Sequence, residues 1–150
     1  METLFEVSRV EEVKQRLQHL KPDSERVWGK MSPAQMLAHC SAGMEMAMGK
    51  IRPPRALIGR IIGPAIKRVV LREREPMRRN SPTSRELVMT GDRDFAVEQG
   101  RLGELIDQFS ATGQAGCTSH PHAFFGPLTP DEWAILMYKH LDHHLRQFGV

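Results

Sequence analysis

The stretch TPDEWAILMYKHLDHHLRQFG, from Thr129 to Gly149, decides the fold. Thr129 followed by Pro130 and Glu132 has the order of a helix start, with a hydroxyl N-cap, proline at the first turn and an acid three residues on. Trp133, Met137, His140, His144 and Phe148 then step by four, three, four and four, the period of one helix face. Three of the five are large and apolar, so this face is the buried one and both imidazoles are predicted to point inward. His140 and His144 stand about 40° apart around the axis, one turn apart along it. His143 is displaced by about 60° from His140. It is expected on the shoulder beside Lys139 and Gln147, half-exposed and titrating near ~6.5.

Working upstream, a second helix opens at Ser32-Pro33-Ala34-Gln35 and runs to about Met48, where Gly49 and Pro53-Pro54 stop it. It carries His39 on an inner face with Met36, Gly43 and Met46, and Gly43 leaves space beside the ring. A first helix is predicted from Ser8-Arg9-Val10-Glu11, read as a capping box, to about Leu20, with Val10, Val13, Leu17 and Leu20 at helical intervals. Another runs from about Asp94 to Ser110, though Gly100 and Gly103 each cost it about 1 kcal/mol relative to Ala.

Between the second helix and that one lies a long excursion over residues 49–91. Residues 56–71 are predicted to form an amphipathic helix interrupted at Gly63-Pro64, residues 72–84 to be irregular, and residues 86–89 to be extended. No strand signal has any strength. The fold class is therefore all-α: four helices with a long, partly helical basic excursion between the second and third, and residues 1–150 as one domain.

The bulk properties agree. The chain has 150 residues, 40% hydrophobic and 26% charged, enough for a core without disulfides. Nine Met against one Tyr and six Phe suit helices better than sheets. Acidic residues near the start argue against a secretory signal, and Cys40 and Cys117 make no framework, so free thiols in the cytoplasm are expected. The longest apolar stretch, residues 56–71, is broken by Arg60, Lys67 and Arg68, which excludes stable membrane insertion.

A net charge of +3 hides an asymmetry: residues 50–79 hold ten Lys or Arg against two Glu. No aromatic residue lies in that segment, which argues against stacking on single strands, and no nucleic-acid partner is expected. The segment admits three readings: a solvated lid is the default, a positive rim for an anionic substrate comes second, and a membrane- or nucleic-acid-facing patch is the third.

His39, His140 and His144, drawn from two helices, form a ligand set suited to Zn, Ni, Fe or Cu. The competing reading is a set of satisfied core histidines, because a His-x-x-x-His pair without a metalloprotease glutamate is weak alone. Each ligand needs a partner for its other ring nitrogen, with Glu45, Asp142 and Gln147 the nearest candidates in sequence. His120 and His122 flank Pro121 in the loop entering the last helix, where they could serve as an acid/base pair or hydrogen-bond backbone. A pocket above the ion, lined by Trp133 and the Phe124-Phe125 loop, would favour an enzyme over a non-catalytic bundle. Cys40, about 100° from His39, is read as structural.

The segments His120-Pro121, Phe124 to Thr129, Glu132-Trp133 and Lys139 to Gly149 resemble a branch of the DinB-like superfamily, domain of unknown function 1569. Trp28 to Pro33, Met36 to Cys40, Pro76-Met77 and Asn80 to Thr83 extend the resemblance over most of the chain. It implies a four-helix bundle of DinB-like type. One histidine of the second helix and the i, i+4 pair of the last bind a divalent transition metal there, which by position are His39, His140 and His144. Some relatives are thiol-dependent transferases or isomerases.

The resemblance thus implies a metal-dependent enzyme with coordination positions open to water or a substrate thiolate, of hydrolase or thiol S-transferase type. Its partner would be a small-molecule substrate, a thiol or an anionic compound, and a homodimer is allowed. The alternative is a non-catalytic, metal-stabilised or stress-related helical binding protein.

Overall fold

In the computed structural model, residues 2–72, 76–81 and 83–150 are described. Glu73, Arg74 and Glu75 of the basic segment, and Pro82 of the Asn80 to Thr83 motif, lie outside them. Five α-helices carry the fold: α1 (Val7–His19), α2 (Pro33–Ala47), α3 (Leu57–Arg72), α4 (Phe95–Thr112) and α5 (Pro130–Gln147). Among the described residues there is no strand, only an isolated bridge between His122 and Gly126.

The two best-signalled helix starts form as the residues dictate. Ser32 caps α2 and Thr129 caps α5, each with a reciprocal capping box through Gln35 and Glu132 and with proline in the first turn. Asp94 caps α4 by accepting from the Val97 amide. The start of α1 differs from expectation. Its N-cap is Glu6, without a side-chain cap bond, and Ser8 already lies inside the helix. Leu4, fully buried, anchors the chain just before this turn, with its amide donating to the Ala134 carbonyl.

Two further corrections fall in the excursion. α3 is not broken at Gly63-Pro64 but runs through it. A proline removes one backbone bond and its ring is exposed here, while the buried Gly59 and Gly63 keep the helix seated on the Phe124 backbone. Residues 86–89 are not extended as a unit, because Arg85–Leu87 make one turn of 3-10 helix that buries Leu87.

α1 and α2 each pack against both α4 and α5, so these four helices surround one core in the order α1, α4, α2, α5. α3 lies outside that ring, against α5. The core joins Val13 and Leu17 of α1, Met36, Leu37 and Met44 of α2, Leu102, Ile106 and Phe109 of α4, and Trp133, Leu141 and Leu145 of α5. The α2–α5 contact brings the histidine-bearing faces together. No described helix is long and apolar enough to cross a membrane.

Candidate metal centre

α2 contributes His39 and α5 contributes His140 and His144, and one ring nitrogen of each lies within 4.8 Å of the others. The ring centroids form a nearly equilateral triangle, 4.9 Å from His39 to His140, 4.6 Å from His39 to His144 and 4.7 Å between the α5 pair. His39 and His144 are buried, and His140 is the least covered of the three. Among the described residues these three histidines are close enough together to hold a metal ion.

The hydrogen bonds set which nitrogens face inward. His39 Nδ1–H donates to the Leu87 carbonyl at 2.8 Å, which leaves the Nε2 lone pair free. His144 Nδ1–H donates to Gln147 Oε1 at 2.8 Å, and Gln147 Nε2–H in turn donates to the Trp28 carbonyl at 2.9 Å. His39 Nε2 and His140 Nε2 approach to 2.9 Å. Two imidazole nitrogens at that distance require either a proton or a cation between them. Tying up one nitrogen of a ring so that the other carries its lone pair toward a common point is how metal-binding histidines are held. The donor set therefore fits a divalent transition metal.

Electrostatics favour the same form. Burial is the first cause that lowers the pKa of each triad histidine. His140 falls well below the ordinary value, pushed further by His144 and His39, and His144 falls to about 3 despite its bond to Gln147. Neutral imidazole is the form that binds metal, so near neutrality no proton has to be expelled from a charged ring.

Gly43 makes the space that His140 occupies. A Cβ at residue 43 would stand 3.1 Å from His140 Cε1 and 3.2 Å from its Nδ1. The glycine was expected beside His39; it serves the facing helix instead.

His143 corrects the expectation of a half-exposed ring. It is buried, with 8% exposure, its ring 5.4 Å from Trp28 and 5.0 Å from His144. Burial lowers its pKa, opposed by a backbone hydrogen bond with Met77 and by Asp142, so it does not titrate as a free imidazole. The cause is the excursion, which folds back over this shoulder, Arg79 lying 4.2 Å over the Trp28 ring. Leu87, Met77 and Arg79 thus hold three parts of the site. The segment is more than a solvated lid.

Trp133 is core and fully buried. Phe125 is buried as well, and the Phe124 backbone lies under Gly59 and Gly63 of α3. His122 accepts the Phe124 and Phe125 amides on Nδ1 and packs 5.5 Å from Trp133; burial, aided by Arg55, pushes its pKa down to about 4. His120 Nε2–H donates to the Pro53 carbonyl at 3.3 Å, away from the triad.

Of the three candidate ring partners, Gln147 alone serves. Glu45 pairs with Arg101, and Asp142 with Arg16 and Arg146. Cys40 is buried, its thiol pKa raised by burial and its Sγ 3.6 Å from Met36 Sδ; Cys117 is also a free thiol. The Leu87 carbonyl and the Trp28 carbonyl were missed. Trp28 sits in a quoted motif and so had a signal, whereas a backbone acceptor such as Leu87 leaves none.

The chain belongs to the family described as "Protein of unknown function (DUF1569)", whose match covers residues 3–149. No curated protein and no solved structure matches it.

Proposed function

We propose that this chain is a metal-dependent enzyme of the DinB-like kind, one domain over residues 1–150, with a divalent ion on His39, His140 and His144. The observation that carries the reading is the pair of Nδ1 bonds, to Leu87 and Gln147, that turn ring nitrogens toward His140. Four helices around one core agree with a bundle of DinB-like type. Zn, Ni and Fe all suit three neutral imidazoles. Such an ion supplies a Lewis acid with positions left for water or a substrate thiolate, hence hydrolase or thiol S-transferase chemistry.

The chain's own residues do the rest. Leu87 and Gln147 orient two rings, burial keeps all three neutral, and a small thiol or anionic substrate would meet the ion beside His140, the least covered of the three. A cytoplasmic location agrees with the two free thiols.

The test is elemental analysis of tag-free protein purified without added metal, followed by cobalt substitution and titration with a small thiol. One ion per chain, and a thiolate-to-cobalt absorption band on titration, are expected. Protein that carries no metal, and gains no thermal stability from Zn, Ni or Fe(II), overturns the reading.

A non-catalytic metal-stabilised or stress-related binding protein is the second reading. Among the described residues no carboxylate hydrogen-bonds a triad ring, since Glu45 and Asp142 are committed to arginines. A loaded protein whose cobalt spectrum does not respond to thiol or anion decides for it.

A further inference from the structure

α3 wears its apolar residues on the outside. Leu57, Ile58, Ile61, Ile62, Ile66 and Val69 are all exposed, Leu57 by 78% and Ile61 by 82%. At 100° per residue they cover about half of the helix circumference, while Gly59, Gly63 and Leu71 occupy the buried half.

The glycines explain the inversion. A Cβ at Gly59 would stand 2.6 Å from the Phe124 carbonyl oxygen, and one at Gly63 would meet the same atom. α3 therefore seats closely on the Phe124 backbone through a narrow strip of small residues, and its bulky residues turn away from the protein. Monomeric proteins rarely leave so continuous an apolar face to water.

Charge distinguishes the occupants of this face. Residues 46–72 contain seven Lys or Arg and no Asp or Glu. Lys67 pairs with Glu132. Arg60, Arg68 and Arg72 are exposed and have no carboxylate partner among the described residues, and Arg68 and Arg72 project from the apolar half itself. A second copy docking here would bring two strongly cationic segments together. An anionic bilayer surface matches both features: acyl chains take the isoleucines and headgroup phosphates take the arginines.

We propose that α3 is an interfacial helix that binds this protein peripherally and reversibly to membranes rich in anionic lipid. The helix lies in the headgroup plane with Leu57, Ile58, Ile61 and Val69 inserted, and Arg60, Arg68 and Arg72 at the phosphates. It does not span, in keeping with its length and charge. The inference is independent of the metal.

The experiment is co-sedimentation of the full chain with vesicles of phosphatidylcholine alone or mixed with phosphatidylglycerol, at low and high salt. Binding to the mixed vesicles only, weakened by salt, is expected. Ile61→Asp should lower the partition coefficient at least about tenfold, and Arg68→Glu with Arg72→Glu should abolish the preference for anionic lipid. These side chains are exposed, so circular dichroism and melting should match wild type. Equal binding to both vesicle types, or undiminished binding by Ile61→Asp, overturns the proposal. So does a concentration-dependent dimer that Ile61→Asp dissolves, with no vesicle binding, which assigns the face to a second copy.

Discussion

Gly43 of α2 and His140 of α5 face each other so closely that a Cβ on the glycine would stand 3.1 Å from the imidazole Cε1. Glycine inside a helix costs about 1 kcal/mol relative to alanine, so removing it should favour the helix. Its retention here makes room for the ring. We expect Gly43→Ala to leave the metal-free protein at least as stable while it displaces His140 by a few tenths of an ångström and weakens metal binding. Gly43→Val should eliminate metal binding. Thermal melts with and without chelator separate the two effects, because the metal-dependent rise in Tm should shrink while the metal-free Tm does not fall in Gly43→Ala. An unchanged metal-dependent rise in both variants would remove this role for the glycine.

Gln147 holds His144 from one end of its amide and the Trp28 carbonyl from the other. Replacing it with Met keeps most of the volume and removes both bonds, freeing the ring to turn. Partners of this type are worth about 10–100-fold in metal affinity. Competition titration with a chromophoric chelator should therefore show Gln147→Met weaker by that factor with unchanged stoichiometry. Gln147→Glu keeps an acceptor for His144 Nδ1 and should retain more of the affinity. If Gln147→Met matches wild type, His144 is oriented by packing alone.

The pH dependence of the metal-free protein follows from five lowered histidine pKa values, those of His39, His122, His140, His143 and His144. In the unfolded chain each takes a proton near the ordinary 6.5, whereas in the fold burial delays this; for His144 the folded value is about 3 and for His122 about 4. Between the two values the unfolded state binds more protons, so stability is complete above 6.5 and is lost as pH falls. Each group costs up to about 1.4 kcal/mol per pH unit in its window. Several acting together exhaust the ~5–15 kcal/mol of a typical domain within about two units. Chelator-treated protein should unfold between about pH 6 and 4, and the metal-loaded form should hold to lower pH. Chemical denaturation across that range is the check; a flat profile down to pH 4 would mean the rings are not buried neutral.

The helix carrying two of the three histidines was legible because Thr129, Pro130 and Glu132 form a local start and the apolar stripe is long. The same holds for Ser32, Pro33 and Gln35 in α2. Where the reading failed, the deciding contact was remote in sequence. His143 looked half-exposed from its helix angle, but Trp28, Met77 and Arg79 cover that shoulder from loops whose course no periodicity records. Ser8 had the spacing of a cap, yet Leu4 is buried and the helix starts earlier. Gly63-Pro64 read as a break, because the glycine's role against the Phe124 backbone is a tertiary fact.

His143 and His144 are sequence neighbours, both buried, and only their bonds distinguish them. The His144 ring is 4.6 Å from that of His39, and its Nδ1 is committed to Gln147, so its other nitrogen is turned to the cluster. His143 instead faces Trp28 and bonds to the Met77 backbone. Removing a triad ring should therefore remove the metal, whereas removing His143 should loosen the fold. We expect His39→Ala, His140→Ala and His144→Ala each to lose stoichiometric metal. His143→Ala should keep it and lose about 1–3 kcal/mol of stability, since it strands a buried backbone group and uncovers Trp28. Buried imidazoles disfavoured in their charged form also predict that the three triad variants, metal-free, lose less stability than wild type between pH 7 and pH 5, because each has one ring fewer to protonate on unfolding. Metal content by elemental analysis, paired with denaturation at pH 7 and pH 5, reads both arms. A metal-free His143→Ala beside a metal-loaded His144→Ala would reverse the assignment of the two rings.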